Sequence, residues 1–187
     1  MSDELAEGRA EMMKYLEGVA RMADAVKGRK HYGAAEAFVL DKGEWHEARA
    51  LPPRYRYMEE RMCFRNSYRM ALRHPGLTYV EGFAWSGLLP VHHAWCTDGE
   101  GRVVDVTWQH GQRPLPAEEW VYFGVKMPDE LIIAVSARSD YFGVILDFTN
   151  SCPLLKQEFD AEAALALYRD IPPRRNGRRA RAEGRAG

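Results

Sequence analysis

Hydrophobic positions follow a helical period at three places along the chain. Near the N-terminus, apolar residues recur at spacings of three, four or seven, which predicts an amphipathic helix over residues 3–27. The same period predicts a helix over 62–73, and the run His74-Pro75-Gly76 ends it because proline and glycine both break a helix. A short helix rich in alanine and leucine is predicted over 160–168, with Asp160 as its N-cap.

Between the second and third of these helices, the hydrophobic pattern becomes that of strands. Three segments rich in aromatic and branched residues predict strands over 77–85, 89–96 and 102–108. The run Asp98-Gly99-Glu100-Gly101 predicts a turn between the last two of them. The short apolar segment 131–135 fits a buried strand and a buried helix equally well.

Composition divides the chain into three parts. We expect an N-terminal amphipathic helix in residues 1–28, one α+β domain in 29–171, and a basic tail in 172–187 that has no apolar periodicity and should be disordered. Inside the domain, the polar segment 41–56 predicts a loop. The N-terminal helix is expected to pack on the core, with a dimerisation seam as the alternative, so the oligomeric state stays open.

Charge is distributed unevenly along the chain. The net charge is −1, but residues 172–187 contain six arginines and one glutamate and therefore carry +5, which leaves −6 on the rest. An acidic folded part argues against a dedicated nucleic-acid module, although the tail could touch nucleic acid weakly. The sequence has no apolar run of about 18 residues that would predict a membrane span. Three widely spaced cysteines predict no disulfide framework and fit a reducing, cytoplasmic location.

Cys63 falls in the first turn of the second predicted helix. Free backbone N–H groups and the positive end of the helix dipole gather there, and both stabilise a thiolate. Arg61 and Arg65 are close in sequence and would act in the same direction. Such surroundings lower a cysteine pKa from about 8.5 to roughly 3.5–7.5. The alternative is that Cys63 is a buried structural thiol, as free cysteines often are.

His93 and Asp105 lie on the two predicted strands that the glycine-rich turn connects. Side chains alternate between faces along a strand, so any loop with an odd number of residues places both on one face. A three-residue loop at 98–100 would make them direct partners, with Cβ atoms about 4.5–5.5 Å apart. A two- or four-residue loop would separate them. The predicted fold is therefore an α+β fold, in which an antiparallel sheet with His93 and Asp105 packs against a helix that begins near Cys63.

The segment from Cys63 onward resembles the transglutaminase-like superfamily, a papain-like group. The resemblance lies in a cysteine that opens a helix, the string His93-Ala94-Trp95, a glycine-rich turn, and the segment 104–108 that contains Asp105. The layout from Tyr79-Val80-Glu81-Gly82 is also similar to that of small uncharacterised bacterial and phage proteins. The resemblance implies a catalytic triad of Cys63 as nucleophile, His93 as base and Asp105 as the acid that orients it.

These residues predict thiol-dependent acyl transfer on an amide or peptide bond, by hydrolysis or by transfer to an amine, with no cofactor. The expected partner is a protein, a peptide or a small amide. The oxyanion donors would be the Cys63 backbone N–H and an unidentified second group, for which Tyr57 and Gln109 are candidates. No asparagine or glutamine precedes Cys63, which motivates the alternative of an inactive scaffold or phage accessory protein. A metal site at His92, His93 and Cys96 is a further alternative, although neighbouring strand residues face opposite sides.

Overall fold

A computed structural model describes residues 2–26, 28, 31–108, 113–139 and 141–173, and within them it has a mixed α+β fold. The helices are α1 (Asp3–Asp24), α2 (Ala35–Lys42), α3 (Cys63–Arg73), α4 (Asp129–Ser136) and α5 (Ala161–Asp170). The strands are β1 (Glu44–His46), β2 (Thr78–Trp85), β3 (Val91–Thr97), β4 (Val103–Val104) and β5 (Val121–Met127). The predicted class, helices with an antiparallel sheet, is confirmed.

The strands form one antiparallel sheet in the order β1-β5-β2-β3-β4. Its two edges approach each other, because the backbone N–H of Val103 donates to the carbonyl of Glu47, 2.9 Å away, immediately after β1. The sheet is therefore curled. The rings of His46 on β1 and Trp95 on β3 lie 5.6 Å apart although two strands separate them, which identifies their side of the sheet as the concave face.

The two faces of the sheet have different cores. The concave face encloses a small cluster that includes Trp95, Trp108, Trp120 and Tyr122. Gly124 makes room for it, since a Cβ atom at that position would meet the ring of Trp95. The convex face carries the larger core, which the helices cover. Strands β2 and β3 therefore separate two different environments, and alternate residues of each strand belong to one or the other.

The helices that the local pattern predicts are present. Helix α1 packs on the larger core through Met12 and Leu16, both fully buried, as expected for a helix that covers the core. Helix α3 begins at Cys63 itself. The carboxylate of Asp160 accepts a hydrogen bond from the N–H of Ala163, 2.8 Å away, and so caps α5 as predicted. The ambiguous segment 131–135 is helical and belongs to α4.

Two expectations need correction. The segment 41–56 was predicted to be a loop, but it contains the end of α2 and all of β1, which pairs with β5 nearly eighty residues away. The segment 102–108 was predicted to be one strand, but only Val103–Val104 pairs with β3. Among the loop lengths left open, the structure has an odd one, with five residues, 98–102, between the paired residues Thr97 and Val103.

The remaining expectations concern the basic tail and membrane spans. The tail was predicted to be disordered, and its residues 174–187 lie outside the described part of the chain. None of the helices within the described ranges combines the length and the apolarity that are needed to cross a membrane.

Candidate functional site

Helix α3 presents Cys63 at an N-terminus that has no cap. Met62 occupies the N-cap position without a side-chain hydrogen bond, and the first turn contains no acidic residue. The free N–H groups of that turn and the positive end of the helix dipole therefore remain available to an anion. Cys63 as a residue is 8% exposed, so it is largely shielded from solvent.

The early end of β4 lets Cys63 reach the strand that carries His93. Strand β4 pairs with β3 only at Cys96 and Thr97, so the preceding part of β3 has no strand on that side within the described residues. The N-terminus of α3 approaches this free edge, where the backbone N–H of Ala94 is close enough to the Cys63 sulfur to lower the pKa of the thiol. Cys63 thereby meets a histidine on the concave face although its own helix covers the convex face.

His93 and Asp105 are joined directly. Nε2 of His93 lies 2.7 Å from Oδ2 of Asp105, and both side chains are buried. They are not opposite each other in a strand pair, because the register Cys96↔Val104 places Asp105 just beyond β4. They still share the concave face, since a loop of five residues is odd and preserves the predicted parity. Asp105 reaches His93 as a diagonal neighbour.

Each of the three groups has a shifted pKa. Burial raises the pKa of the Cys63 thiol, but the charge and hydrogen bonding of His93 more than compensate, and the net pKa lies below the ordinary value. Burial would lower the pKa of His93, but Asp105 and the Cys63 thiolate stabilise the imidazolium and raise that pKa to about 10. Burial likewise opposes ionisation of Asp105, yet His93 and backbone donors keep its pKa below the ordinary range. A thiolate facing an imidazolium is therefore the favoured state.

The hydrogen bond to Asp105 also fixes which nitrogen of His93 meets the thiol. Nε2–H donates to the carboxylate, so the other ring nitrogen, Nδ1, is the one left to exchange a proton with Cys63. The ring of Trp108 stacks on the imidazole, with centroids 4.6 Å apart and planes at 27°. A carboxylate and an aromatic ring together hold the imidazole in one orientation, as a general base requires.

Asp105 itself is held by three groups besides His93. Its Oδ1 accepts hydrogen bonds from the backbone N–H groups of Thr107, at 2.8 Å, and Trp108, at 3.2 Å. The hydroxyl of Tyr122, on β5, donates to Oδ2 at 3.0 Å. Sequence reasoning missed Tyr122, because only the curled sheet brings β5 close to the residue after β4. Four donors on one buried carboxylate keep it ionised and immobile.

Asn66 connects the cysteine helix to the Asp105 segment and was also missed. Its Nδ2 donates to the carbonyl of Glu59 at 2.7 Å and to Oγ1 of Thr107 at 3.1 Å. Asn66 lies one turn after Cys63 on the same side of α3, and it is fully buried. A polar residue at that spacing in a helix was the available signal. Both protons of its NH2 group are directed to these two acceptors, so it acts as a positioning residue.

A second buried carboxylate lies on the convex face. Glu81 is fully buried, and its oxygens accept hydrogen bonds from the hydroxyl of Tyr79 at 3.0 Å and from the backbone N–H groups of Val144, at 2.6 Å, and Ile145, at 3.1 Å. Nε2 of His92 lies 3.1 Å from Oε1 but outside hydrogen-bonding geometry. Glu81 thus fastens the segment after α4 to the middle of the sheet.

A cleft of about 420 Å³ opens over the thiol and the imidazole. Its described lining is mostly polar or charged, and consists of Glu60, Arg61, Cys63, Phe64, Val91, His92, His93, Thr107, Trp108 and Arg113. Trp108 lines this cleft, while Trp85 belongs to the larger core and Trp95 to the smaller one. Of the two proposed oxyanion donors, Tyr57 does not line the cleft and Gln109 lies outside the described residues.

The other cysteines have different surroundings. Cys96 is fully buried in the convex core and donates to the carbonyl of Ser67 at 3.3 Å, and burial raises the pKa of its thiol. Cys152 is buried as well. In the part of the chain that the structure describes, no group of three or more histidine, cysteine, aspartate or glutamate side chains is arranged to hold a metal ion. His92 and His93 face opposite sides of β3, so they do not converge.

Comparison with known proteins identified no relative of this chain. We found no match to the chain among protein-family models, among curated proteins or among solved structures. Arguments about function therefore depend on the side chains of the site.

Proposed function

We propose that the protein is a cysteine hydrolase or acyltransferase of transglutaminase-like type, with a papain-like triad of Cys63, His93 and Asp105. The main support is one arrangement: an uncapped helix N-terminus brings a thiol against an imidazole whose other nitrogen is bonded to a buried carboxylate at 2.7 Å. The opposite pKa shifts of Cys63 and His93 follow from that arrangement. The substrate is a protein, a peptide or a small amide.

The reaction proceeds in two balanced steps. The Cys63 thiolate attacks the carbonyl carbon of the amide, a C–S bond forms, and the carbonyl oxygen takes the negative charge. When the C–N bond breaks, the proton on Nδ1 of His93 passes to the leaving amine, which leaves a thioester. Water or a second amine then attacks the thioester, gives its proton back to His93, and releases the product and the thiolate.

The oxyanion of the first step needs hydrogen-bond donors. The backbone N–H of Cys63 belongs to the first turn of α3, where helix geometry provides no acceptor, so it is one donor. Asn66 is excluded as the second, because both of its amide protons are already directed to Glu59 and Thr107. The lack of an assigned second donor motivates the alternative proposal, an inactive scaffold or phage accessory protein that retains the fold.

Selective alkylation separates the enzyme from the scaffold. Purified protein is treated with iodoacetamide between pH 5 and 9, and the rate at each cysteine is followed by peptide mass spectrometry, with Cys63→Ala as the control. We expect Cys63 to react well below pH 8 and faster than Cys96 or Cys152. Equal labelling of the three thiols, or protection of Cys63 up to pH 9, would contradict the proposal and favour the scaffold.

A further inference from the structure

We propose that the cleft selects acidic peptides, and that Arg61 and Arg113 bind a carboxylate next to the reactive amide. This inference rests on the proposed function, since it assigns a substrate class to the same site. Both arginines line the cleft over Cys63, together with one acidic side chain, Glu60, among the described lining residues.

Arg113 is held near the reacting groups by stacking. Its guanidinium carbon lies 4.5 Å from the centroid of the Trp108 ring, and that ring stacks on His93 with centroids 4.6 Å apart. The stack orders the arginine without using its N–H donors, because a cation–π contact involves the face of the guanidinium. The N–H donors of Arg113 are therefore not used by the stack, and the residue lines the cleft into which Cys63 and His93 also open.

Arg61 lines the same cleft and lies two residues before Cys63 in the chain. It lines both the cleft and a neighbouring cavity of about 220 Å³, whose lining includes Phe64, Tyr141 and Phe142. Its backbone has a φ of 61°, a left-handed conformation that is unusual for a residue with a side chain. Strain of this kind is retained where the surroundings need a fixed direction, and here it directs the chain into the first turn of α3.

Neither arginine has a carboxylate partner among the described residues. The next arginine along the helix differs, since Arg65 forms an ion pair with Glu59. A guanidinium is planar and presents paired N–H donors that match the two oxygens of a carboxylate. Two such groups in the cleft that contains the thiol favour a substrate with acidic side chains, and they disfavour a basic one by repulsion.

The charge preference can be measured at Cys63 without a known substrate. The thiolate displaces iodide from iodoacetate or from iodoacetamide: a C–S bond forms, the C–I bond breaks, and iodide leaves. The two reagents have nearly the same shape, but only iodoacetate carries a carboxylate. The imidazolium of His93 attracts iodoacetate in every variant, so the informative quantity is the ratio of the two rates, which also cancels changes in thiol reactivity.

We expect Arg61→Gln and Arg113→Gln each to lower the iodoacetate-to-iodoacetamide ratio by about three- to tenfold, as expected for a charge several ångströms away near a protein surface. Glu60→Gln should raise the ratio. Arg69→Gln, an exposed arginine on α3 that does not line the cleft, should leave it unchanged. In parallel, acetyl-Glu-Gln-Glu-amide should slow alkylation by iodoacetamide more than acetyl-Lys-Gln-Lys-amide does.

The outcomes distinguish this inference from the proposed function. If wild-type Cys63 reacts with iodoacetamide below pH 8 but neither arginine variant changes the ratio, the inference is wrong and the triad stands. Equal protection by the acidic and the basic peptide would also overturn the inference alone. If wild-type Cys63 reacts with neither reagent below pH 8, the proposed function fails and the inference fails with it.

Discussion

Two buried carboxylates, Asp105 and Glu81, lie on opposite faces of the same curled sheet with nearly the same set of neighbours. Each accepts a tyrosine hydroxyl and two backbone N–H groups, and each has a histidine from β3 beside it. The histidines, His93 and His92, are adjacent in sequence. Composition therefore does not explain why one cluster is a candidate for catalysis and the other is structural.

The difference lies in what each histidine contacts. His93 is 2% exposed, makes a 2.7 Å hydrogen bond to Asp105, and meets the thiol of Cys63. His92 is 3.1 Å from Glu81 without a hydrogen bond, and its ring packs against Phe64. Asp105 can orient His93 because it is hydrogen-bonded to the imidazole ring. Glu81 is not hydrogen-bonded to His92, and it instead connects the segment after α4 to the sheet.

The largest effect on stability is expected on the convex face. Glu81→Ala leaves two backbone N–H groups without an acceptor and removes the nearer of the two acceptors of the Tyr79 hydroxyl, so the free energy of unfolding should fall by about 3–5 kcal/mol. Urea denaturation measures the change, and the exposed Glu118→Ala is the control. A loss below about 1 kcal/mol would mean that Glu81 is not the structural member of the pair.

A smaller loss is expected where the cysteine helix joins the Asp105 segment. Asn66→Ala removes the donor to the carbonyl of Glu59 and to Thr107, which should cost about 1–3 kcal/mol. It should also slow alkylation of Cys63, because the helix N-terminus loses its anchor. Thr107→Val, which removes only one of these bonds, should have a weaker effect on both. Unchanged alkylation in Asn66→Ala would show that this anchor does not position the thiol.

The coupled pKa shifts predict how stability depends on pH. The raised pKa of His93 stabilises the fold fully below about pH 6.5, the unfolded value, and this stabilisation is lost as pH rises towards the folded value of about 10. The lowered pKa of Cys63 acts oppositely, because its contribution is complete above about 8.5 and is lost as pH falls through its folded value. Between about pH 6.5 and 8.5, the folded and unfolded forms of the pair each hold one proton.

Wild-type stability should therefore be flat between about pH 6.5 and 8.5, as far as this pair is concerned. In Cys63→Ala, Asp105 still raises the pKa of His93, so stability should fall across the same range by up to about 1.4 kcal/mol per pH unit. Denaturation at half-unit intervals measures both curves. Parallel curves would contradict a thiolate–imidazolium pair.

The smallest effects compare the two tyrosines. Tyr122→Phe removes one hydrogen bond to Asp105 and should cost about 1 kcal/mol, with a severalfold slower alkylation of Cys63 near pH 7. Tyr79→Phe removes the equivalent bond to Glu81, so it should cost a similar amount and leave alkylation unchanged. If both variants slow alkylation equally, the two faces are not functionally separate.

The parts of the fold that depend on local pattern could be predicted from the sequence. Helix α3, with Cys63 in its first turn, follows from a helical repeat and a proline-glycine end, and the shared face of His93 and Asp105 follows from strand parity once the loop is odd. Strand β1 was missed because three residues at a sheet edge leave no periodic signal, and its pairing with β5 is distant in sequence. The early end of β4 was missed because residues 105–108 keep an apolar alternation while Asp105 turns back to bind its own backbone.

The roles of Tyr122, Asn66 and Glu81 could not be predicted, since each depends on contacts between segments that are distant in sequence. Tyr122 approaches Asp105 only because the sheet curls. Glu81 belongs to the string Tyr79-Val80-Glu81-Gly82, but the backbone N–H groups that donate to its carboxylate are in the segment after α4. The sequence pattern specified the candidate reacting groups, while the groups that position them required the tertiary structure.

The pH dependence of Cys63 alkylation in three variants is the most direct test of the triad. Wild-type Cys63 should react at pH 6.5, where an ordinary thiol is only about 1% ionised. His93→Ala should slow that reaction by up to about a hundredfold, and Asp105→Asn should move the profile to higher pH, because the imidazolium loses its carboxylate. His92→Ala should leave the profile in place. If His92→Ala shifts it and His93→Ala does not, His92 is the base; if none of the variants shifts it, Cys63 has no imidazole partner and the acyl-transfer proposal is wrong.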